Sequence, residues 1–377
     1  MTQSVSRPAA PPSTAPRLLY VDNLRTALMA LVVIHHSAIG YSNVPRWYYT
    51  EPPADPTGTL LDVMILLNQA FFMGAFFLIS GLFVPGSYDR KGTGHFIRER
   101  LLRLGVPLLL WLLAVRPLAT VGEYAAAQQV PYWHYYLQSL SPGPMWFVEV
   151  LLVFSALYVL WRRLTVKDPR ASAPTPATGR PPGAVAIAGF TIALALVTYL
   201  WRIVVPMGVS ILGLPSPAYL PQYAALFTVG LIAARRGWPA ALSRTAGRAG
   251  FATAAVAAVA LLVVAISAEE AFLGHGTLPS LLTAICESAL AVGITLGLLV
   301  LFRERLGHQG RLRRFLSTHA FTVYLTHPVV LVALGHALRD VQAPAAAKFA
   351  LLTALALPLC WATAYLVRAL PGARKVL

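Results

Sequence analysis

The chain has 377 residues, of which 57% are hydrophobic and only 12% are charged. Soluble globular domains carry about a quarter charged residues, so the composition excludes that class. The net charge of +16 does not indicate a nucleic-acid-binding protein, because the charged residues lie in short segments between long apolar runs. Two cysteines, Cys286 and Cys360, are too few for a disulfide framework or a metal cluster, and we expect no metal.

The apolar runs are about 20 residues long, which is enough to cross about 30 Å of hydrocarbon. We therefore predict an all-α polytopic membrane protein with about ten transmembrane helices. The predicted spans are 18–40, 60–84, 101–121, 144–161, 184–204, 217–234, 249–268, 280–302, 319–338 and 346–368.

The remaining segments are polar or rich in Pro and Ala. Residues 1–16 are predicted to be a disordered tail. Residues 17–370 are predicted to form the transmembrane domain, interrupted by a cytoplasmic linker at about 167–183, and residues 371–377 a C-terminal tail. No convincing cleavage site follows the first apolar run, so we expect a retained first span rather than a signal peptide.

The orientation follows from the positions of Lys and Arg. With the N-terminus in the cytoplasm, most of the 30 Lys and Arg residues lie in cytoplasmic segments. Cytoplasmic loops of membrane proteins carry an excess of these residues. We predict that both termini are cytoplasmic. We also predict a multi-pass protein of the cell membrane, which interacts with the lipid bilayer.

The first span carries polar residues that a bilayer penalises. Arg25 and His36 are eleven residues apart, about three helical turns, and project from one face about 16 Å apart along the axis. Asp22 lies one turn before Arg25 and is expected to pair with it, while His35 supports the site beside His36. A cation at one end and an imidazole at the other suit a long anionic cofactor, with phosphate at one end and proton chemistry at the other. In the alternative interpretation, Arg25 snorkels and neighbouring helices satisfy the histidines.

Two further pairs are one turn apart on one helix face. Arg100 and Arg103 are candidates for gripping phosphates, since guanidinium groups form forked hydrogen bonds to them; the alternative is ordinary positive flanking of a span. Tyr324 and His327, beside Pro328, either line a donor channel or form hydrogen bonds within the helix core.

Glu149 is a carboxylate inside the fourth span and lies one turn from Trp146. It needs a partner, which is either catalytic or a structural ion pair. Ser80 with Gly81 is predicted to serve close helix packing. The aromatic cluster at residues 47–49 fits an interfacial belt, with stacking on a sugar as the alternative.

Five motifs occur in order on these spans. They are YVDNLRTALMALVVIHH, FFLISGLFVP, RERLLRLGVP, GPMWFVEVLLVFSALY and FTVYLTHPVVL. Together they resemble the membrane-bound acyltransferase 3 family, in its branch of glucan-modifying, glucans biosynthesis protein C-like acyltransferases. One departure is Pro144–Met145 before the Trp-Phe pair, where many members have His or Ser, so contacts made there in relatives are in doubt.

The resemblance implies O-acyl transfer from cytoplasmic acyl-CoA, such as acetyl-CoA or succinyl-CoA, to a hydroxyl of a glycan or small molecule. His36 matches the family's catalytic base, and we place Glu149 beside it as a catalytic candidate. Arg25, Arg100, Arg103, Tyr324 and His327 are the predicted donor-binding residues.

Two other classes compete with this interpretation. A transporter or flippase without chemistry also fits about ten spans with buried charges and Pro-broken helices. A scaffolding protein would not need Arg25 and His36 on the same face of the helix. The sequence leaves open the acyl chain, the acceptor and its side, the oligomeric state and whether a covalent acyl-enzyme forms.

Overall fold

The computed structural model describes residues 18–44, 47–117, 130–138, 140–165, 179–211 and 213–377. The predicted tail 1–16, the end of the third predicted span (118–121) and most of the predicted linker (167–178) lie outside the described residues. The described residues form helices and connecting turns, apart from one isolated bridge between Ile211 and Leu214.

The α-helices in chain order are α1 (Leu19–Ile39), α2 (Gly58–Gln69), α3 (Phe72–Arg100), α4 (Val106–Leu110), α5 (Tyr132–Gln138), α6 (Trp146–Thr165), α7 (Ala184–Val204), α8 (Leu220–Arg236), α9 (Trp238–Ala241), α10 (Arg244–Ser267), α11 (Leu278–Arg305), α12 (Arg311–Ala337), α13 (Ala345–Ala369) and α14 (Ala373–Val376). Single π-helical turns flank α4, and short 3₁₀ segments precede α6 and α8.

Among the described residues, seven helical segments are long and apolar enough to cross a membrane. They are Gly58–Val115, Gly143–Thr165, Ala184–Val204, Arg244–Ser267, Leu278–Arg305, Arg311–Ala337 and Ala345–Ala369. The prediction of a polytopic helical membrane protein is thereby confirmed, while the number of about ten spans and the sides of the termini stay predictions.

The second and third predicted spans lie in one helical run, Gly58–Val115. Gly92 interrupts this run with φ 69° and ψ 171°, a backbone conformation that glycine adopts far more readily than other residues. The Tyr88 and Thr93 hydroxyls are hydrogen-bonded at 2.9 Å across the break. The connection between these two predicted spans is therefore a break at one glycine within α3.

Helix α1 lies at the centre of the bundle and packs against α2, α3, α11, α12 and α13. Its apolar side chains Val21, Leu24 and Val33 are fully or almost fully buried. The polar residues of the same helix lower its mean hydropathy, which explains why it is absent from the seven apolar segments. Neighbouring helices rather than lipid therefore surround the polar face of α1.

Glycines set the contact between α3 and α8. A Cβ built on Gly230 would collide with the Leu78 carbonyl oxygen and lie 3.0 Å from the Cα of Gly81. The reciprocal Cβ on Gly81 would meet the backbone of Phe227. Small residues allow helix backbones in membranes to approach this closely, as predicted for Ser80–Gly81.

We expect Gly230→Ala to lower the free energy of unfolding by about 1–3 kcal/mol, because the added methyl forces α3 and α8 apart. Thermal unfolding of the purified protein in detergent measures the change. Gly189→Ala in α7 is the matched control, since a Cβ there meets nothing within 4 Å. Equal unfolding temperatures for the two variants would contradict the proposed packing contact.

Candidate functional site

A cavity of about 1090 Å³ runs along one face of α1. It extends from Arg25 to Ile39 and continues beyond the helix end to Trp47 and Tyr48. Fourteen residues of helix rise by about 21 Å, so the cavity follows α1 for most of its length. Arg25 and His36 both line it, as their spacing predicts.

His36 contacts two aromatic side chains. The Trp47 ring stacks on the His36 imidazole with 4.0 Å between centroids and 17° between planes. At the edge of the imidazole, Nε2 of His327 lies 3.1 Å from Nδ1 of His36. His35 meets His36 edge-on at 5.5 Å and packs on Phe72. The histidine that the sequence singles out therefore has a fixed orientation.

The hydrogen bonds of His327 determine which nitrogen of His36 is a base. Nδ1 of His327 lies 2.7 Å from the Tyr324 carbonyl oxygen and 3.3 Å from that of Val323. A carbonyl only accepts, so this Nδ1 carries the proton and Nε2 of His327 is an acceptor. Nδ1 of His36 must then donate to His327, which leaves the lone pair of neutral His36 on its Nε2.

The segment that carries Trp47 is anchored by a buried lysine. Lys348, which is 3% exposed, places Nζ 2.6 and 2.8 Å from the two carboxylate oxygens of Glu51. The Tyr49 hydroxyl donates to the same carboxylate at 2.9 Å. Burial, together with this bond and the charge of Glu51, raises the pKa of Tyr49. Tyr49 therefore stays a neutral donor and helps to fix the turn that follows Trp47.

The same segment also caps α13 from a distance. Pro344, which precedes the helix, makes no side-chain cap. Instead, the Asp55 carboxylate accepts from the Ala345 amide at 2.8 Å, and the Thr57 hydroxyl accepts from the Ala346 amide at 3.0 Å. These bonds satisfy amides that an isolated helix would leave unpaired and tie residues 47–57 to the bundle.

We expect Lys348→Met to lower the unfolding temperature and to release Trp47 from His36, because it leaves the Glu51 carboxylate without its cation. Glu51 is 36% exposed, so solvent screens its charge and the loss is about 1–2 kcal/mol rather than that of a fully buried pair. Trp fluorescence and thermal unfolding report the two effects. The control is Asp340→Asn, which removes an ion pair whose partners are 67% and 89% exposed; a Lys348→Met protein as stable as this control would contradict the anchor.

Cations concentrate at the Arg25 end of the cavity. Arg25 pairs with Asp22 at 3.2 Å, as the sequence predicts. We call the following cavity-lining residues the cationic mouth: Arg25, Arg90, Lys91, Arg100, Arg103, Arg368 and Arg374. Arg368 and Arg374 come from the C-terminal end of the chain, and Arg374 lies in the predicted tail 371–377. The sequence gives no sign that this end meets Arg100 and Arg103.

The structure divides the remaining predicted residues into two groups. His35, Ser80, Trp146 and Tyr324 line the cavity. Asp22, His327 and Glu149 are not among the lining residues. The bonds of the His327 ring to the backbone of its own helix agree with the second interpretation given above, hydrogen bonding within the helix core, while its role in donor binding stays a prediction. Glu149 has one buried carboxylate oxygen without a hydrogen-bond partner among the described residues.

Tyr324 connects α12 to the start of α6. Its hydroxyl donates to the Pro144 carbonyl oxygen, and its ring lies 6.0 Å from that of Phe147. Residue 144 therefore contributes a backbone carbonyl at the position where the motif departs from the family pattern.

Sequence reasoning missed a buried charge pair near the end of the cavity opposite the cationic mouth. Arg202 and Glu287 are 0% and 1% exposed and approach to 2.6 Å. The Tyr219 hydroxyl donates to Glu287 at 2.9 Å, and Tyr219 lines the cavity. A carboxylate inside the predicted span 280–302 was the available signal, since ionisable residues in membrane spans need a partner.

No group of three or more His, Cys, Asp or Glu side chains in the described part of the chain could hold a metal ion. The cavity joins a histidine imidazole that is stacked on an aromatic ring to a cluster of cations.

Comparison with known proteins identifies the family. A model of the acyltransferase 3 family, described as an acyltransferase domain, matches residues 18–365. The chain belongs to this family, and the resemblance predicted from its motifs is confirmed.

Similar curated proteins are the glucans biosynthesis protein C of Salmonella typhi and that of Salmonella typhimurium. Each is 31% identical over 116 residues, which is 31% of this chain and 28% of the relative. The matched segment thus spans less than a third of the length of either protein. No solved structure matches the chain significantly.

Proposed function

We propose that this protein is an O-acyltransferase that moves an acyl group from acyl-CoA to a hydroxyl of a glycan or other acceptor, with His36 as general base. Membership of the acyltransferase 3 family supports acyl transfer. The observation that carries the proposal is a base with a fixed tautomer in a cavity that leads to seven cations.

One histidine is sufficient for both proton transfers of the proposed step. The acceptor oxygen attacks the thioester carbonyl carbon while Nε2 of His36 takes the hydroxyl proton. The C–S bond then breaks, the ester remains on the acceptor, and the departing thiolate takes the proton back from His36. The step as written needs neither a covalent acyl-enzyme nor Glu149, whose catalytic role stays a prediction.

Trp47 and His327 favour the protonated intermediate of this step. When His36 gains a proton, its Nδ1–H bond to His327 becomes charge-assisted and therefore stronger. The Trp47 face, stacked 4.0 Å away, attracts the imidazolium through its negative π surface. Both contacts lower the energy of an imidazolium that the apolar surroundings would otherwise disfavour.

The shape of the cavity suits a long donor. The phosphates of coenzyme A would bind the cationic mouth, because Arg groups make forked hydrogen bonds to phosphate oxygens. The thioester would lie near His36, about 16 Å along α1 from Arg25. Acetyl-CoA and succinyl-CoA both fit this chemistry.

The acceptor would enter from the opposite end of the cavity. Trp47, Tyr48, Ser141 and Ser216 line that end and offer aromatic faces and hydroxyls, which suit a sugar. With the predicted topology, the donor comes from the cytoplasm and the acceptor from the other side of the cell membrane. The name of the Salmonella relatives, glucans biosynthesis protein C, supports a glycan acceptor.

Thiol release from acetyl-CoA and succinyl-CoA, with and without a glycan mixture, tests the proposal on purified protein. We expect acceptor-dependent release of free CoA and a loss of about 10²–10⁴-fold in kcat for His36→Ala, the range attributed to a general base. His275→Asn is the control, because His275 is exposed and its positive φ of 61° is one that Asn tolerates.

A transporter is the second candidate, because the cavity follows α1 for about 21 Å. It would move its substrate without releasing CoA. Uptake of a labelled glycan into proteoliposomes, with no thiol release from either donor and no CoA binding, would replace the acyltransferase proposal with this one.

If His327 orients His36, substitutions of His327 should lower kcat by different amounts. His327→Ala removes the acceptor for Nδ1 of His36, and we expect kcat to fall about 10- to 100-fold while KM for the donor stays nearly unchanged. His327→Gln keeps a side-chain acceptor and should recover part of the loss. If the Ala variant instead raised KM with kcat intact, His327 would belong to donor binding, as the sequence predicts.

A further inference from the structure

Glu99 stands out at the cationic mouth. It is the one acidic side chain among the described residues that line the cavity. It pairs with Lys91 and lies 3.4 Å from Nε of Arg103, so it holds two members of the mouth at once. The carboxylate therefore occupies the place among these cations that a phosphate group would take.

We propose that Glu99 is an internal counter-ion of Lys91 and Arg103 when the mouth is empty. The phosphates of the donor displace it. This inference rests on the proposed donor site. Without an anion, the crowded cations repel one another; Glu99 offsets part of this repulsion, and an incoming polyanion must compete with it for Lys91 and Arg103.

Competition by Glu99 also sets how tightly the donor and its product bind. Coenzyme A keeps all its phosphates after the acyl group has left, so a mouth in which Lys91 and Arg103 had no competing carboxylate would retain the product more tightly. A tethered carboxylate that recaptures Lys91 and Arg103 assists release. Glu99 thus lowers the affinity for the donor and raises the rate at which free CoA dissociates.

The competing explanation is purely structural. Lys91 and Glu99 lie on opposite sides of the break at Gly92, so their ion pair could simply hold the two halves of α3 together. The two explanations predict opposite effects of removing Glu99 on the affinity for anions. Loss of a structural brace weakens anion binding and lowers the unfolding temperature, whereas loss of a competing carboxylate strengthens anion binding.

The experiment measures CoA and pyrophosphate binding to the full chain in lipid nanodiscs at low and high salt. The variants are Glu99→Gln, Glu99→Lys and Lys91→Gln. Glu304→Gln is the matched control, because Glu304 also pairs with two arginines at 2.9 and 3.6 Å and is 24% exposed, against 29% for Glu99, but does not line the cavity.

We expect the CoA dissociation constant to fall about threefold for Glu99→Gln, as the strength of partly exposed ion pairs suggests, and further for Glu99→Lys. Lys91→Gln should weaken binding, Glu304→Gln should leave it unchanged, and high salt should reduce every difference. In turnover, Glu99→Gln should lower both KM for the donor and the rate of CoA release.

Unchanged or weaker CoA binding by Glu99→Gln, with wild-type protein that does bind CoA, would overturn the role of Glu99 and leave the donor proposal intact. If wild type bound pyrophosphate but not CoA, and Glu99→Gln bound pyrophosphate more tightly, the coenzyme A proposal would fail and the counter-ion would stand. Binding of neither anion by wild type or by Glu99→Gln would overturn both.

Discussion

The contact of His36 with His327 and Trp47 is the interaction on which the site depends. A histidine in a membrane span is costly unless its polar atoms are paired, and each of these neighbours provides part of that pairing. The bond to His327 orients the ring and places the lone pair on Nε2, and the Trp47 ring covers one face. The same two contacts that make a buried imidazole tolerable also prepare it to accept a proton.

Other parts of the bundle hold Trp47 and His327 in contact with His36. Trp47 stays on His36 because Lys348 and the α13 amides hold the segment that follows it. His327 stays at the Nδ1 edge of His36 because its own ring is bonded to the backbone of its helix, which Pro328 partly frees. Helix α1 accordingly lies inside the bundle, where it packs against five other helices, and the apolar helices α7 and α10 are mostly exposed.

The charge distribution along α1 gives the cavity a direction. Cations from both ends of the chain meet at one mouth, whereas aromatic rings and hydroxyls line the other. An anionic group that enters such a cavity is stabilised at the cationic mouth and not at the end lined by aromatic rings and hydroxyls. In the proposed reaction, this arrangement separates binding of a charged donor from chemistry at His36. It also limits how strongly the cations oppose protonation of the base, because they lie several helical turns away.

The sequence by itself determined the class of fold, because runs of about 20 apolar residues have no other stable solution than helices in a bilayer. It also determined that Arg25 and His36 share a face and that Asp22 pairs with Arg25, since helical periodicity is a local property. Only the tertiary structure decided that His327 supports His36, that Trp47 covers it, that Arg368 and Arg374 join the cationic mouth and that Arg202 meets Glu287. Trp47 is only eleven positions from His36 but lies beyond the end of the helix, and the other contacts join residues dozens to hundreds of positions apart. The packing of helices, which no local pattern encodes, brings them together.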